Sequence, residues 1–186
     1  YQSTLKLTSD RVIDACVLRL PDGRWRMWYN DERAGKAINL AESTDLYHWT
    51  DLGLVTLPDR RPGEGPKVFH FGGTYWMIVD EWCGQGVYRS ADALTWTRQP
   101  GDNLLARDGT GPDDTGIGAH ADVVVNDGRA WIFYFTHPRR PAGAGPAPGA
   151  QTRRSTIHVA ELTLAPNGLL VCDRDAPAFI CLTPPQ

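Results

Sequence analysis

One eight-residue pattern occurs twice in this chain, and it constrains the fold more than any other feature of the sequence. The segments 43–50 and 90–97 both read S-x-D-x-x-x-W-T, with an offset of 47 residues. Self-similarity at a period of about 40 to 50 residues is typical of the four-stranded blades of β-propellers. The sequence therefore predicts a β unit that is repeated along the chain.

A second repeated element occurs three times, as an apolar run, a glycine-centred turn and an aromatic-rich run. The turn glycines are Gly23, Gly73 and Gly128, which lie 50 and 55 residues apart. Asp-Gly or Gly-Gly between β-rich runs favours a hairpin, because such turns need positive φ. The predicted strand pairs are 16–20 with 25–29, 68–71 with 75–79, and 123–125 with 130–135.

Further β-rich runs follow each hairpin, so four strands are expected in each unit. The third strands are predicted at 37–42, 86–89 and 157–162, and the fourth at 49–54, 96–98 and 169–172. We therefore predict an all-β fold, a β-propeller of four-stranded antiparallel blades with about three blades present, in which residues 1–186 form a single partial propeller domain. A β-sandwich is the alternative, but it does not explain the repeated S-x-D-x-x-x-W-T pattern.

Two stretches lie outside the repeats. Residues 138–151 are rich in Pro, Gly and Ala, and they are predicted to form a flexible surface loop between the second and third strands of the last blade. Residues 1–9 read as one additional strand.

Ionisable residues precede the three hairpins at similar distances. Asp14 and Glu64 each lie nine residues before their hairpin glycine, and His120 lies eight residues before its own. The innermost strands of propeller blades start at one end of the central axis, so we expect these side chains to converge there. Two carboxyls and an imidazole in proximity perturb each other's pKa values, and glycosidic cleavage requires paired carboxyls. The alternative is that each side chain caps a strand start.

The second strand of each blade returns to the same end of the axis, and polar residues close these strands at 30–32, 80–82 and 136–137. From this set we predict substrate contacts by Asn30, Asp31, Asp80 and Trp82. Trp82 would supply a platform on which a sugar ring stacks. Because polar residues are common at strand ends, an ordinary structural role is the alternative for each.

Charge and composition exclude several classes of function. With a net charge of −3, the chain lacks the excess of Lys and Arg that is typical of nucleic-acid-binding proteins. No apolar run approaches the roughly 20 residues that span a bilayer, and the absence of a visible signal peptide favours a cytoplasmic location. The four cysteines lack C-x-x-C spacing, so we expect them to be free, unreactive thiols and not zinc ligands or disulfides. Most of the seven Trp are expected in the core.

The order and spacing of these residues resemble the glycoside hydrolase family 43 superfamily. The segments that carry the resemblance are 12–15 (VIDA), 63–69 (GEGPKVF) and 118–123 (GAHADV). The resemblance implies a five-bladed propeller glycosidase that acts on oligo- or polysaccharides with inversion. It also implies that Glu64 is the general acid, that Asp14 is the carboxylate tuning the acid's pKa, and that His120, near the axis, binds substrate or orients a central metal or water.

The family pattern includes a base Asp on the blade before Asp14, and this sequence offers no counterpart. About three blades cannot close a ring. We therefore expect the chain to be the C-terminal part of a longer enzyme, with two alternatives: association with other blades or another copy, or a degenerate relative that no longer catalyses. Open sheet edges and exposed apolar flanks favour such association.

Three other functions are alternatives to hydrolysis: sugar binding without catalysis, phosphorolysis and a scaffold role. A non-catalytic carbohydrate-binding or interaction propeller would keep Trp82 without needing Glu64. A mannoside phosphorylase would need a basic phosphate pocket, and a WD40 scaffold would show its own repeat motif. No cofactor is expected to be required, although His120 and Asp122 point the same way on a strand and could contribute to a Ca²⁺ site.

Overall fold

A computed structural model describes residues 10–140, 149–180 and 182. It is an all-β structure of three four-stranded antiparallel sheets, each with its strands in chain order. The strands are β1 (Val12–Arg19), β2 (Trp25–Asp31), β3 (Ala37–Ser43) and β4 (Trp49–Leu54) in sheet 1; β5 (Glu64–Phe71), β6 (Thr74–Asp80), β7 (Gln85–Ser90) and β8 (Thr97–Arg98) in sheet 2; and β9 (Ala119–Asn126), β10 (Arg129–Thr136), β11 (Thr156–Leu164) and β12 (Leu170–Cys172) in sheet 3.

The three predicted four-stranded units are confirmed. The proposed additional strand at 1–9 lies outside the described residues. Residues 141–148 of the predicted Pro/Gly/Ala loop also lie outside the described residues, and a short helix, α1 (Ala150–Arg153), follows before β11. Two 3₁₀ turns, Glu32–Ala34 and Pro58–Arg60, complete the regular elements of the described residues.

Turn chemistry explains where the hairpins form. Gly72 and Gly73 join β5 to β6, and Asp127 and Gly128 join β9 to β10. All four residues have positive φ, as a two-residue turn with the twist of a hairpin requires. The first hairpin differs, because the pairing of Arg19 with Trp25 leaves a five-residue turn, 20–24.

The repeated S-x-D-x-x-x-W-T pattern builds the connection between the third and fourth strands. In the second copy the Asp92 carboxylate accepts hydrogen bonds from the backbone N–H groups of Leu94 and Thr95, at 2.8 and 2.7 Å. These bonds lower the pKa of Asp92 to about 2. Asp45 makes the equivalent bonds in the first copy, to Tyr47 and His48. The pattern is thus a structural turn motif.

The core consists of two apolar layers, one on each side of sheet 2. Four of the seven tryptophans are buried, as expected. Trp28 and Trp96 lie between sheets 1 and 2, and Trp76 lies between sheets 2 and 3. The rings of Trp28 and Trp96 meet edge to face at 6.3 Å. Since burial of such a side chain contributes roughly 1.5–3 kcal/mol, these layers fix the sheets against each other.

The first strands of successive sheets are neighbours. β1 packs on β5, and β5 packs on β9. One direct link is the Cys16 thiol, which accepts a hydrogen bond from the backbone N–H of Val68 at 3.2 Å. The starts of the three inner strands are therefore brought together, which is the arrangement that a shared site requires.

The two outer sheet faces carry exposed apolar side chains. On β1 Val17 is 43% exposed, and on β11 Ile157 is 81% exposed. Both point away from the core layers, because strand side chains alternate between the two faces of a sheet.

Among the described residues, Cys16, Cys83 and Cys172 are free thiols. Cys181 lies outside the described residues. Within the described parts of the chain, no helix combines the length and the apolar composition needed to cross a bilayer.

Candidate functional site

Each inner strand contains a β-bulge close to its start. The pairing registers shift between Ile13 and Cys16, between Glu64 and Lys67, and opposite Phe133 to Phe135 in the third sheet. Within each bulge one residue adopts a left-handed conformation. These residues are Asp14 (φ 60°), Gly65 (φ 58°) and His120 (φ 36°).

Left-handed backbone at Asp14 and His120 costs of the order of 1–3 kcal/mol at each, and it persists only where the surroundings impose it. Bulges are frequent beside active sites, because they redirect a side chain away from its regular position in the strand. The bulges of the two flanking inner strands thus turn a carboxylate and an imidazole towards the strand between them.

The register corrects one sequence-based prediction. Counting back from the hairpin glycines places Asp14, Glu64 and His120 at equivalent positions, but the equivalent of Asp14 and His120 in the second sheet is Gly65. Glu64 lies one residue earlier. Gly65 and His120 each lie eight residues before the glycine of a two-residue turn, whereas Asp14 lies nine before Gly23 because the first hairpin has a five-residue turn. A count of nine therefore matched Asp14 with Glu64 instead of Gly65.

Gly65 is the point where the three inner strands meet. Its backbone N–H donates to Asp14 Oδ2 at 3.3 Å. A Cβ at Gly65 would lie only 3.0 Å from His120 Nε2, so the imidazole occupies the space that a side chain would fill. Across Gly65, His120 Nε2 is 3.8 Å from Asp14 Oδ1. The glycine therefore permits the contact between the two residues of the flanking strands.

Glu64 enters the same region beside this contact, and both of its carboxylate oxygens have donors. Trp82 Nε1 donates to Oε1 at 3.2 Å, and Lys36 Nζ donates to Oε2 at 3.1 Å. The Glu64 side chain remains 25% exposed, and Trp82 is 46% exposed. We call the group formed by Asp14, Glu64, Trp82 and His120 the central site.

Asp80 connects the members of the central site through their backbones. Its carboxylate accepts from the N–H of Trp82 at 2.8 Å and from the N–H of His120 at 2.7 Å. Burial raises the pKa of Asp80, and the neighbouring charge of Glu64 acts in the same direction. Because Asp80 is only 2% exposed and both oxygens are engaged, this geometry favours a positioning role over direct contact with a sugar.

Asn30 and Asp31 are also buried and bonded internally. The Asn30 amide, which has no exposed surface, donates to the carbonyl of Gly63, the residue before Glu64. Asp31 accepts from the Arg33 backbone N–H at 2.9 Å and caps the 3₁₀ turn after β2. Asn30 therefore holds the main chain next to Glu64, whereas Asp31 stabilises the turn that follows β2.

Other residues at the strand ends lie away from the central site. Glu81 is paired with Arg98 and accepts a hydrogen bond from Tyr88. Thr136 has no exposed surface and donates to the Asp113 carbonyl, and His137 hydrogen-bonds with Ser155. Conversely, no pattern in the sequence singles out Lys36, which reaches Glu64 from a different sheet.

The residues around His120 do not fit a calcium cage. Asp122, the second ligand considered, is ion-paired with the Lys67 ammonium group and accepts the N–H of Val123. Over the ranges that the structure describes, no group of three or more His, Cys, Asp or Glu side chains is arranged to hold a metal ion. The requirement for several oxygen ligands around Ca²⁺ is therefore not met by this donor set.

No protein-family model matches the chain, and no curated protein matches it in sequence. Solved structures do resemble it. A thermostable family-43 glycoside hydrolase gives a TM-score of 0.64 at 20% identity, covering 91% of this chain and 61% of that protein. An alpha-L-arabinofuranosidase from Clostridium thermocellum gives 0.62 at 17%, covering 90% and 55%. An endo-arabinase from Bacteroides thetaiotaomicron gives 0.64 at 14%, covering 94% and 58%.

The chain thus has the fold of part of these glycosidase structures, and it spans about 61% of the length of the first. At these identities the likeness concerns the fold. What the site does must be inferred from its own residues.

Proposed function

We propose that this chain forms the part of a glycosidase active site that carries the general acid, within a five-bladed propeller of the glycoside hydrolase family 43 type. One observation carries the proposal: three different sheets deliver Asp14, Glu64 and His120 to one region, around Gly65. A carboxyl, a second carboxyl beside it and an adjacent exposed aromatic ring are the parts that protonate a glycosidic oxygen and hold a sugar.

In this proposal Glu64 donates a proton to the leaving oxygen. Asp14, whose carboxylate accepts the backbone N–H of Gly65, the residue after Glu64, takes the role of second carboxylate that the family resemblance implies. His120, whose side chain is 41% exposed, contacts a substrate hydroxyl, and Trp82 stacks against a sugar ring.

The second half of the reaction needs a carboxylate base on the opposite face of the sugar. In an inverting enzyme this base activates water, and the two carboxyl groups lie about 6.5–9.5 Å apart. The family pattern assigns the base to a blade preceding Asp14. The exposed apolar side chains of Val17 and Ile157 mark the outer faces against which further blades, or another copy of the chain, would pack.

A non-catalytic sugar-binding propeller is the rival function, and calorimetry with arabino- and xylo-oligosaccharides beside a hydrolysis assay separates the two. We expect this chain to bind such oligosaccharides and to hydrolyse them weakly or not at all, because the base is supplied by another blade. Trp82→Ala is expected to weaken binding about tenfold, close to 1.4 kcal/mol, through loss of ring stacking.

The matched control is Trp25→Ala, because Trp25 pairs with Arg19 at the far end of β1 from Asp14. It is expected to leave the affinity unchanged. Absence of binding for every oligosaccharide, or equal loss in both variants, would contradict a sugar site at Trp82.

A further inference from the structure

Lys36 contacts the proposed acid from another sheet. It follows the 3₁₀ turn Glu32–Ala34, and both Gly35 (φ 70°) and Lys36 itself (φ 61°) are left-handed. These two residues redirect the chain, so that the Lys36 side chain points towards β5 while β3 begins at the next residue. The ammonium group lies 2.9 Å from Glu32 Oε1 and 3.1 Å from Glu64 Oε2.

The contact is held by the main chain as well as by charge. The Gly63 backbone N–H donates to the Lys36 carbonyl at 3.2 Å, and the Asn30 side chain donates to the Gly63 carbonyl. A Cβ at Gly63 would lie 2.4 Å from Val79 Cγ1, so the chain entering Glu64 is packed tightly at this point. The main chain at Lys36 is therefore held next to the main chain that leads into Glu64, unlike that of a typical pair of exposed charged residues.

The arrangement is specific for ionised Glu64. Lysine ammonium and indole N–H groups can only donate, and Lys36 and Trp82 occupy one carboxylate oxygen each. A proton on either oxygen would remove the negative charge that these donors contact and would weaken both hydrogen bonds. A general acid must nevertheless carry a proton before it reacts. Lys36 has a second acceptor ready for this step, since it already contacts Glu32.

We propose that Lys36 is a positioning residue that holds Glu64 ionised in the resting site, and that its transfer to Glu32 lets Glu64 take up the proton it donates. The inference rests on the proposed function for its catalytic meaning. The charged groups around Glu64 are Lys36, which contacts its carboxylate, and Asp80, which its negative charge influences; Asp14 and His120 lie beside the next residue, Gly65.

Glu32 is suited to receive the ammonium group. Its hydrogen bond with Lys36 lowers the pKa of Glu32 and raises the pKa of Lys36, so both partners stay charged around neutral pH. Glu32 is also the more exposed of the two acceptors, with 36% of its side chain accessible against 25% for Glu64.

The test is a ¹³C NMR titration of the Glu64 carboxyl in this chain. Lys36→Met is expected to move its titration midpoint upwards by about one pH unit, whereas Lys36→Arg keeps it close to the parent value. Glu32→Gln is expected to move the midpoint downwards, because Lys36 loses its competing partner. Lys67→Met is the matched control: Lys67 lies on the same strand as Glu64 but pairs with Asp122, so it should leave the midpoint in place.

An unchanged midpoint in Lys36→Met, or an upward shift in Glu32→Gln, would overturn the inference. The titration needs no enzymatic activity, so it is independent of the proposed function. In a complete enzyme containing this chain, the alkaline limb of the pH–rate profile should move with the midpoint in Lys36→Met. If Lys36→Met moves the titration midpoint of Glu64 but not the alkaline limb of the pH–rate profile, Lys36 acts on Glu64 as inferred and Glu64 is not the general acid.

Discussion

Glu64→Gln is expected to lower kcat/KM by about 10²–10⁴-fold on an oligosaccharide with a poor leaving group, in a complete enzyme containing this chain. The amide keeps the shape of the side chain but has no proton to give to the leaving oxygen. A nitrophenyl glycoside needs little protonation, so its hydrolysis should fall far less. The measurement is kcat/KM for both substrates with both proteins.

Glu161→Gln is the control for this comparison, because Glu161 is paired with Arg129 on the third sheet, on the opposite side of the fold from Lys36. It should change neither rate. Full activity of Glu64→Gln on the oligosaccharide would end the assignment of Glu64 as acid. An equal fall on the two substrates would indicate a structural effect instead.

Gly65→Ala is expected to lower both the stability of the fold and its affinity for oligosaccharides. The new Cβ would lie 3.0–3.2 Å from three atoms of the His120 ring, and the residue would keep a φ of +58° that disfavours a side chain. Because a ring can rotate more easily than backbone can shift, His120 should swing away from Asp14. We expect a loss of about 1 kcal/mol in stability and about tenfold in oligosaccharide affinity.

Gly73→Ala is the control that separates the contact with His120 from the cost of placing a side chain at positive φ. Gly73 has a similar φ, +79°, but a Cβ there meets nothing within 4 Å. It should lose comparable stability in a denaturant titration and keep both its sugar affinity and the His120 NMR signals of the parent protein. If Gly65→Ala leaves the His120 signals unchanged as well, the packing of the imidazole over Gly65 is not what joins the flanking strands.

Local chemistry made the fold predictable from the sequence. Gly-centred turns and alternating apolar runs are short-range signals, so each hairpin could be located without knowing its neighbours. The repeated Ser-Asp pattern indicated a repeated β unit, and the structure gives its reason: between the third and fourth strands, Asp45 and Asp92 accept hydrogen bonds from backbone N–H groups.

The site was predictable only in part, because its contacts join residues far apart in the chain. Residue type identified Asp14, Glu64 and His120, but the register of Glu64 depended on a turn length that glycine counting could not reveal. Lys36 lies in a turn with no distinctive pattern. Its role depends on where sheet 2 packs against sheet 1, which no local signal encodes.

Buried ion pairs between residues far apart in the chain were likewise not predictable from local sequence. The stretch between β8 and β9 has no β pattern, yet Arg174 ties it down by pairing with Asp114 and bonding to the Gly116 carbonyl. Asp114 is 6% exposed, and it also accepts from the Tyr134 hydroxyl. These partners are 60 residues apart in the case of Arg174, so a reading of local sequence could not connect them.

A crystal structure of this chain with a bound arabino-oligosaccharide tests the central claim most directly. We predict that one sugar oxygen lies within hydrogen-bond distance of the Glu64 carboxylate, a second near His120, and that a sugar ring stacks on Trp82. A sugar bound elsewhere, with Asp14, Glu64 and His120 facing separate surfaces, would contradict the account.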